Sequence, residues 1–244
     1  MQPHPLLTDH YLSTDEKQRF LRKAFDQSAP YYEKIIRWGF FGLGDRYRRQ
    51  ALLRGGLRKG MRVLDVATGT GPTARAAVGI VGNLRDVVGL DPSIGMLQES
   101  QRRLPVACVQ GVADQLPLRD GQFDFLVMGF ALRHVESLEG AFREYLRALK
   151  PGGRAFILDI TVPRNRLARG ITTLYFRNHL PWLTRRFTRS GEAGDLMRYY
   201  WETMDQMVEP EKVLEALRTA GFQKVQRHLV MGVFSEYQAL KATT

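Results

Sequence analysis

Two aspartates and a glycine turn carry the first chemical signal. Asp65 closes the apolar run from Met61 to Val66, and Ala67-Thr68-Gly69-Thr70-Gly71 follows at once. Glycines let a ligand approach the backbone, and the free amides at the start of a following helix favour a carboxylate or a phosphate. Asp91 ends a second apolar run, Val87-Val88-Gly89-Leu90, where a carboxylate can accept hydrogen bonds from ribose hydroxyls. This describes a nucleoside-bearing cofactor without choosing one, because Gly69, Gly71 and Ala74 also satisfy the loose G-x-G-x-x-G/A dinucleotide pattern. Three features count against a dinucleotide: the acid ahead of the glycine turn, a sheet that finishes in a hairpin, and no second nucleotide-binding half.

The elements that must position these residues alternate. Strands are expected at 61–66, 87–91, 106–109, 123–128 and 154–160, with an Ala-rich helix from Thr73, another after Pro92-Ser93, and a helix over 137–149 ended by Pro151-Gly152-Gly153. Strand, glycine turn and helix in repetition predict an α/β fold with a mostly parallel, doubly wound sheet and helices on both faces. After it come a helix over 211–220, a stop at Gly221, and two last strands, from Lys224 and near 234–239, forming an antiparallel hairpin at the sheet edge. Ahead of the sheet, residues 14–58 read as a helical cap interrupted by the aromatic turn Trp38-Gly39-Phe40-Phe41-Gly42. A second helical excursion, over about 164–206, reads as a lid.

Composition narrows the class. The chain has 244 residues, of which 44% are hydrophobic and 25% charged, so one domain over 1–244 with excursions fits better than two, and a solenoid or a disordered chain is excluded. The single cysteine, Cys108, rules out a disulfide scaffold. There is no apolar run of about eighteen residues, and a cytoplasmic protein is expected, at most peripheral at the inner membrane face. The formal charge of +11 is concentrated: seven arginines and no acid lie between Pro163 and Arg189, interleaved with Tyr175, Phe176, Trp182 and Phe187. Such a lid could be simply solvated, could rest on an anionic membrane, or could meet nucleic acid. The absence of a zinc module, an RNA-binding sheet motif or an Asn/Asp-Pro-Pro-Tyr/Phe motif argues against nucleic acid. The five histidines are scattered, so no metal site is expected and a metal-dependent catechol methylation is disfavoured.

Taken in order, VLDVATGTG (63–71), Asp91 after VVGL, ADQLPLRDGQFD (113–124) and LKPGG (149–153) resemble the class I S-adenosylmethionine-dependent methyltransferases. KAFDQSAPYYEKI (23–35), GFALRH (129–134), LMRYYWETM (196–204) and PEKVLEALRTAGF (210–222) extend the resemblance to the C-methyltransferases of ubiquinone and menaquinone biosynthesis, over about residues 20–241. The resemblance implies a Rossmann-like seven-stranded sheet and S-adenosylmethionine as methyl donor, released as S-adenosylhomocysteine. It places Asp65 and the 67–71 turn (Ala67, Thr68, Gly69, Gly71) beside the methionine moiety and Asp91 on the ribose. Pro92, Met96, Ala113, Asp114 and Phe130 complete the cofactor site it implies. Ala67 stands where the family has its leading glycine, and Val112 where a polar residue often meets adenine.

On the acceptor side the sequence departs from that family. Tyr32-Glu33 followed by Ile36 replaces a Tyr-Asp…Asn pattern, and Leu132-Arg133-His134 replaces Leu-Arg-Asn. An asparagine can only orient a group, whereas a histidine can also take a proton near neutrality. Arg133 and His134 are therefore the candidate catalytic pair, Arg133 stabilising a phenolate and His134 acting as base or hydrogen-bond partner, unless His134 merely caps the next helix or packs on the strand. Tyr32, Tyr199 and Tyr200 are candidate acceptor contacts or ordinary core aromatics, Asp159 is an alternative acid, and His179 is expected to be structural or in solvent. The implied reaction is methyl transfer to a small aromatic, lipophilic acceptor at a ring carbon; transfer to oxygen or nitrogen of a small metabolite is the alternative, and a homodimer is left open.

Overall fold

In the computed structural model, residues 1–8, 10–39, 42–188 and 191–243 are described. Phe40, Phe41 and Arg189 lie outside them, as do the side chains of Ile36, Trp38 and Phe187. The apolar runs form β1 (Val63–Val66), β2 (Val87–Asp91), β3 (Ala107–Gln110), β4 (Phe123–Gly129) and β5 (Leu149–Ile160). With β6 (Gln223–Val230) and β7 (Phe234–Leu240) they make one seven-stranded sheet in the order β3-β2-β1-β4-β5-β7-β6. Neighbours from β3 to β5 run parallel, while β7 lies antiparallel to both β5 and β6. The expected hairpin is thus present, with its second strand inserted next to β5.

Strand alternation assigns the two faces. Val63, Phe125, Val127, Phe156 and Leu158 pack under α2 (Gly44–Arg54) and α3 (Pro72–Val81). Leu64, Leu126, Met128 and Ile157 turn the other way, under α5 (Leu138–Ala148) and α9 (Pro210–Thr219). Both sets are fully or almost fully buried, which fixes the register, because a one-residue slip would exchange the two faces. The helix α4 (Ile94–Arg103) starts at Ser93, whose Oγ accepts from the Met96 amide at 3.1 Å. Its side contacts α1 (Thr14–Gly39).

One boundary is corrected. Pro151-Gly152-Gly153 does not end the helix; α5 stops at Ala148 and the three residues lie inside β5. They sit where the register against β4 jumps, Phe123 facing Leu149 and Phe125 facing Arg154. The looped-out backbone is tied down from Gly152 N to Ala242 O at 3.0 Å and from Lys241 N to Gly153 O at 2.9 Å.

Over the carboxyl ends of β1 and β4 lies a separate apolar cluster. It is built by α1, by the amino-terminal Leu7 and Tyr11, and by the excursion after β5. That excursion comprises α6 (Arg166–Thr173), a π-helical stretch (Leu174–His179), α7 (Leu180–Thr188) and α8 (Gly191–Asp205). Among the described residues no helix is long and apolar enough to cross a membrane.

Candidate active site

In an open α/β sheet the crevice forms where neighbouring strands send their connections to opposite sides. Here that point is between β1 and β4, so the turn after β1 and the turn after β4 face each other across a cavity. Its empty space is about 1550 Å³ counted out to its mouth.

On the β1 side, Gly69 and Gly71 have φ of +56° and +87°, and α3 begins immediately afterwards with Pro72 at its first position. A side chain at Gly71 would put its Cβ 2.5 Å from Ser100 Oγ, whereas one at Gly69 would meet only Tyr32, at 3.9 Å, in the cavity itself. Ala67 is also left-handed, at φ +54°. The leading residue of the turn therefore keeps the conformation of a glycine while carrying a methyl, at a cost of order 1–2 kcal/mol.

Asp65 is completely buried; its Oδ2 accepts from Thr68 Oγ1 at 2.7 Å and its Oδ1 is unbonded. Burial pushes its carboxyl up to about 7, against the pull of Thr68, the Ala74 amide and Arg48. Asp91 accepts from Gly69 N and Ser93 N, both at 2.9 Å, and burial raises it to about 6 despite those two bonds. Asp91 lines the cavity, where the ribose hydroxyls of S-adenosylmethionine would compensate its desolvated carboxylate, whereas Asp65 lies behind the cavity wall and is tied to it through Thr68. The residues present therefore fit that cofactor. Pro92, Met96, Ala113, Thr68 and Phe130 line the same cavity. Asp114 reaches it too, but its two oxygens already accept from Ser137 N at 2.7 Å and Glu136 N at 3.0 Å, anchoring the start of α5.

Opposite stands the β4 turn. Phe130 has φ +62°, a left-handed bulky residue of the kind held in place at functional sites. Its carbonyl accepts from Arg133 Nη1 at 2.9 Å. The buried Arg133 guanidinium is 3.6 Å from Asp159 and lies over the Tyr200 ring at 4.5 Å, while its Nε is unbonded. Asp159, expected as an alternative acid, is the counter-ion of Arg133 and is not a cavity wall. His134 does not cap α5, a role that Ser137 Oγ fills by accepting from Gly140 N at 3.2 Å. Both of its ring nitrogens are buried and unbonded, with the ring parallel to Tyr199 and edge-on to Phe25. Burial, then Arg133, Lys17 and His4, hold it well below the ordinary histidine range, so it is a neutral imidazole at neutral pH.

Of the three tyrosines, Tyr32 and Tyr200 are brought together: their hydroxyls are 2.7 Å apart, joining α1 to α8 above the glycine turn. Tyr199 does not reach the cavity. It is completely buried among His10, Tyr11 and Phe20, and its ring backs His134. His179 is exposed, as expected.

Several site residues escaped the sequence reading. Arg48 is buried, lines the cavity beside Asp65 with its Nε unbonded, and lies 5.3 Å over the Phe130 ring. A signal existed: Arg48 shares a helix face with the buried Ala51 and Leu52. Asp26 of α1 accepts from Ser93 Oγ at 2.5 Å and Gly95 N at 2.9 Å, latching the cap to the loop that carries Asp91. The apolar half of the cavity comes from Phe25, Phe176, Leu180, Met197 and Met204, residues of α1 and of the excursion.

Residues 13–241 match the model of the ubiE/COQ5 methyltransferase family. The chain belongs to that family. A demethylmenaquinone methyltransferase of Chlorobaculum tepidum is 32% identical over 84% of this chain and 85% of its own length. A ubiquinone/menaquinone biosynthesis C-methyltransferase of Ectopseudomonas mendocina is 34% identical over 89% of this chain and 86% of its own. Among solved structures, an Aquifex aeolicus S-adenosylmethionine-dependent methyltransferase is similar with a TM-score of 0.59, at 20% identity over 79% of this chain and 88% of that one. Haemonchus contortus phosphoethanolamine N-methyltransferase 2 gives a TM-score of 0.65 at 17% identity, over 95% of this chain and 60% of that one. As a ubiE/COQ5 methyltransferase, the chain is an S-adenosylmethionine-dependent enzyme with the expected fold.

Proposed function

We propose that this methyltransferase alkylates a ring carbon of a lipophilic quinol or phenol, the class named for its demethylmenaquinone and ubiquinone/menaquinone relatives. The observation that carries the reading is the pairing of Arg133 and His134, packed on Tyr200 and Phe25, beside the apolar half of the cavity. S-adenosylmethionine supplies a methyl group already activated on a sulfonium, so the protein has to align the acceptor and exclude water. Phe25, Phe176, Leu180, Met197 and Met204 do both for a hydrophobic ring. A ring carbon next to a hydroxyl becomes nucleophilic as that oxygen gains negative charge, and the fixed Arg133 guanidinium stabilises the charge. Its ties to Phe130 O, Asp159 and the Tyr200 ring hold it there before the acceptor arrives. His134, kept neutral by its surroundings, serves as hydrogen-bond partner to the phenolic oxygen, and its unprotonated nitrogen can take the ring proton that leaves once the methyl has passed from sulfur to carbon and S-adenosylhomocysteine is released. In this reading Arg48, on the cavity wall, holds the charged methionine end of the cofactor with Asp65 behind it, and Asp91 holds its ribose.

The test is incubation with S-adenosylmethionine and reduced demethylmenaquinone, in parallel with compact phenols and amines, followed by mass spectrometry and NMR. A new methyl on a ring carbon of the quinol supports the reading. Methylation confined to oxygen or nitrogen of the compact compounds replaces it with the alternative.

A further inference from the structure

The excursion between β5 and α9 presents two unlike faces. Ala168, Thr172, Phe176, Leu180 and Thr184 recur at helical spacing and turn inwards, and two of them, Phe176 and Leu180, line the cavity. The opposite row holds Leu167, Ile171, Leu174 and Trp182, exposed by 76%, 63%, 63% and 61%. Those four are a third of the twelve large apolar side chains exposed among the described residues, gathered within sixteen positions, so they form a stripe where scattered surface residues would not. Tyr175, His179 and Trp182 continue it as an aromatic row, with ring centres 5.8 and 6.0 Å apart.

Charge decides what covers this stripe. Arg166, Arg177 and Arg186 flank it in solvent, and the stretch from Arg164 to Arg186 contains no acid. Arg164 and Arg169 are paired from outside, with Glu209 at 3.2 Å and Asp205 at 2.8 Å. A second copy meeting this face across a two-fold axis would set arginines against arginines, whereas a layer of lipid phosphates would neutralise them.

We propose that this face docks on an anionic bilayer, with Leu167, Ile171, Leu174 and Trp182 entering the boundary between headgroups and acyl chains and Arg166, Arg177 and Arg186 meeting phosphates. The helices lie on the surface and do not cross it. Because the other side of the same helices walls the cavity, a lipophilic acceptor would pass from the bilayer into the chamber beneath Phe176 and Leu180; this part rests on the acceptor class proposed above.

The experiment is flotation of the full chain with vesicles of phosphatidylcholine alone, or of phosphatidylcholine with about one-third phosphatidylglycerol. Binding is expected to the anionic vesicles and to weaken with salt. Replacing Leu167, Ile171 and Leu174 together by serine should weaken it by roughly tenfold or more. Each of Arg166→Ala, Arg177→Ala and Arg186→Ala should cost roughly fivefold. The exposed positions leave the fold intact, and methylation of a short-chain, water-soluble quinol by the same variants should persist. Wild-type protein that stays unbound with anionic vesicles, or a triple serine variant that floats like the wild type, overturns the docking. So does a triple variant that turns a lipid-free dimer into a monomer, which would mean that a second copy covers the stripe. Vesicle binding without methylation of any quinol would sink the acceptor assignment and leave the docking standing.

Discussion

Replacing Asp91 by asparagine isolates the electrostatic part of cofactor recognition. The carboxylate is buried, receives the Gly69 and Ser93 amides at 2.9 Å each, and holds its proton up to about pH 6 because burial penalises the charge. Asparagine keeps the volume, but it offers one oxygen where two amides need acceptors and brings no charge to the ribose hydroxyls. Hydrogen bonds to charged groups contribute about 1.5–3 kcal/mol, so cofactor affinity should fall roughly 10- to 150-fold.

The pH dependence gives an independent readout of the same group. In the cofactor-free protein the raised value means that a proton occupies Asp91 below about pH 6 and competes with binding. Affinity of the wild type should therefore be steady at high pH and weaken as pH falls through that value, approaching about tenfold per unit below it. Asp65 adds a second component through about 7. In Asp91→Asn the lower step should vanish and the upper one remain. Thermal unfolding controls for damage: the variant removes a carboxylate that burial disfavours but leaves one of two amides without an acceptor, so a modest fall in Tm with an intact cooperative transition is expected. Isothermal titration calorimetry with S-adenosylhomocysteine from about pH 5.5 to about pH 8 reads both effects. Equal affinities at neutral pH, or a variant that retains the step near 6, would refute the reasoning.

Ala67→Gly should stabilise the fold by about 0.5–1 kcal/mol in urea unfolding, the relief of a left-handed alanine outweighing the extra chain entropy; a destabilised variant would show that the φ of +54° carries no strain. Arg48→Met should weaken cofactor binding by roughly tenfold or more while barely affecting a decarboxylated cofactor analogue, if the guanidinium holds the carboxylate; equal losses for both ligands would contradict that. His134→Leu should lower kcat by roughly 10²-fold with cofactor affinity unchanged. In the wild type no inflection from His134 is expected near neutrality, because burial and the neighbouring charges already hold the ring neutral there; an inflection lost in His134→Leu would show that it titrates. Gly71→Ala should cost more than about 2 kcal/mol or prevent folding, since the added Cβ would lie 2.5 Å from Ser100 Oγ at a φ of +87°.

Local rules in the sequence suffice for the scaffold and for the glycine-turn side of the cavity. The runs around Leu64, Val88, Leu126 and Ile157 are apolar on both faces, as buried parallel strands must be, and the glycines at 69 and 71 mark a turn that only a left-handed backbone can make. Those signals sit within a few residues of the groups they position, so the juxtaposition of Gly69 with Asp91, and of Thr68 with Asp65, is legible in the sequence. LKPGG misled because proline and glycine usually stop a helix, whereas here the strand pairing of β5 with β4 and β7 absorbs them as a register jump.

The acceptor half depends on contacts between distant segments, and only the tertiary structure decides it. Nothing local distinguishes Tyr199 from Tyr200, yet one packs on Tyr11 and the other turns to Tyr32 and Arg133. The neutrality of His134 comes from burial under Phe25 and Tyr199 and from the charges of Arg133 and Lys17, a field that no spacing rule encodes. Arg48 looks in sequence like one more surface arginine of a basic helix, and becomes a site residue only because α2 lays it against Phe130. Short-range steric and hydrogen-bonding preferences write the turn and the strands into the sequence; burial and electrostatics, which sum over the whole fold, determine what the residues around the cavity can do.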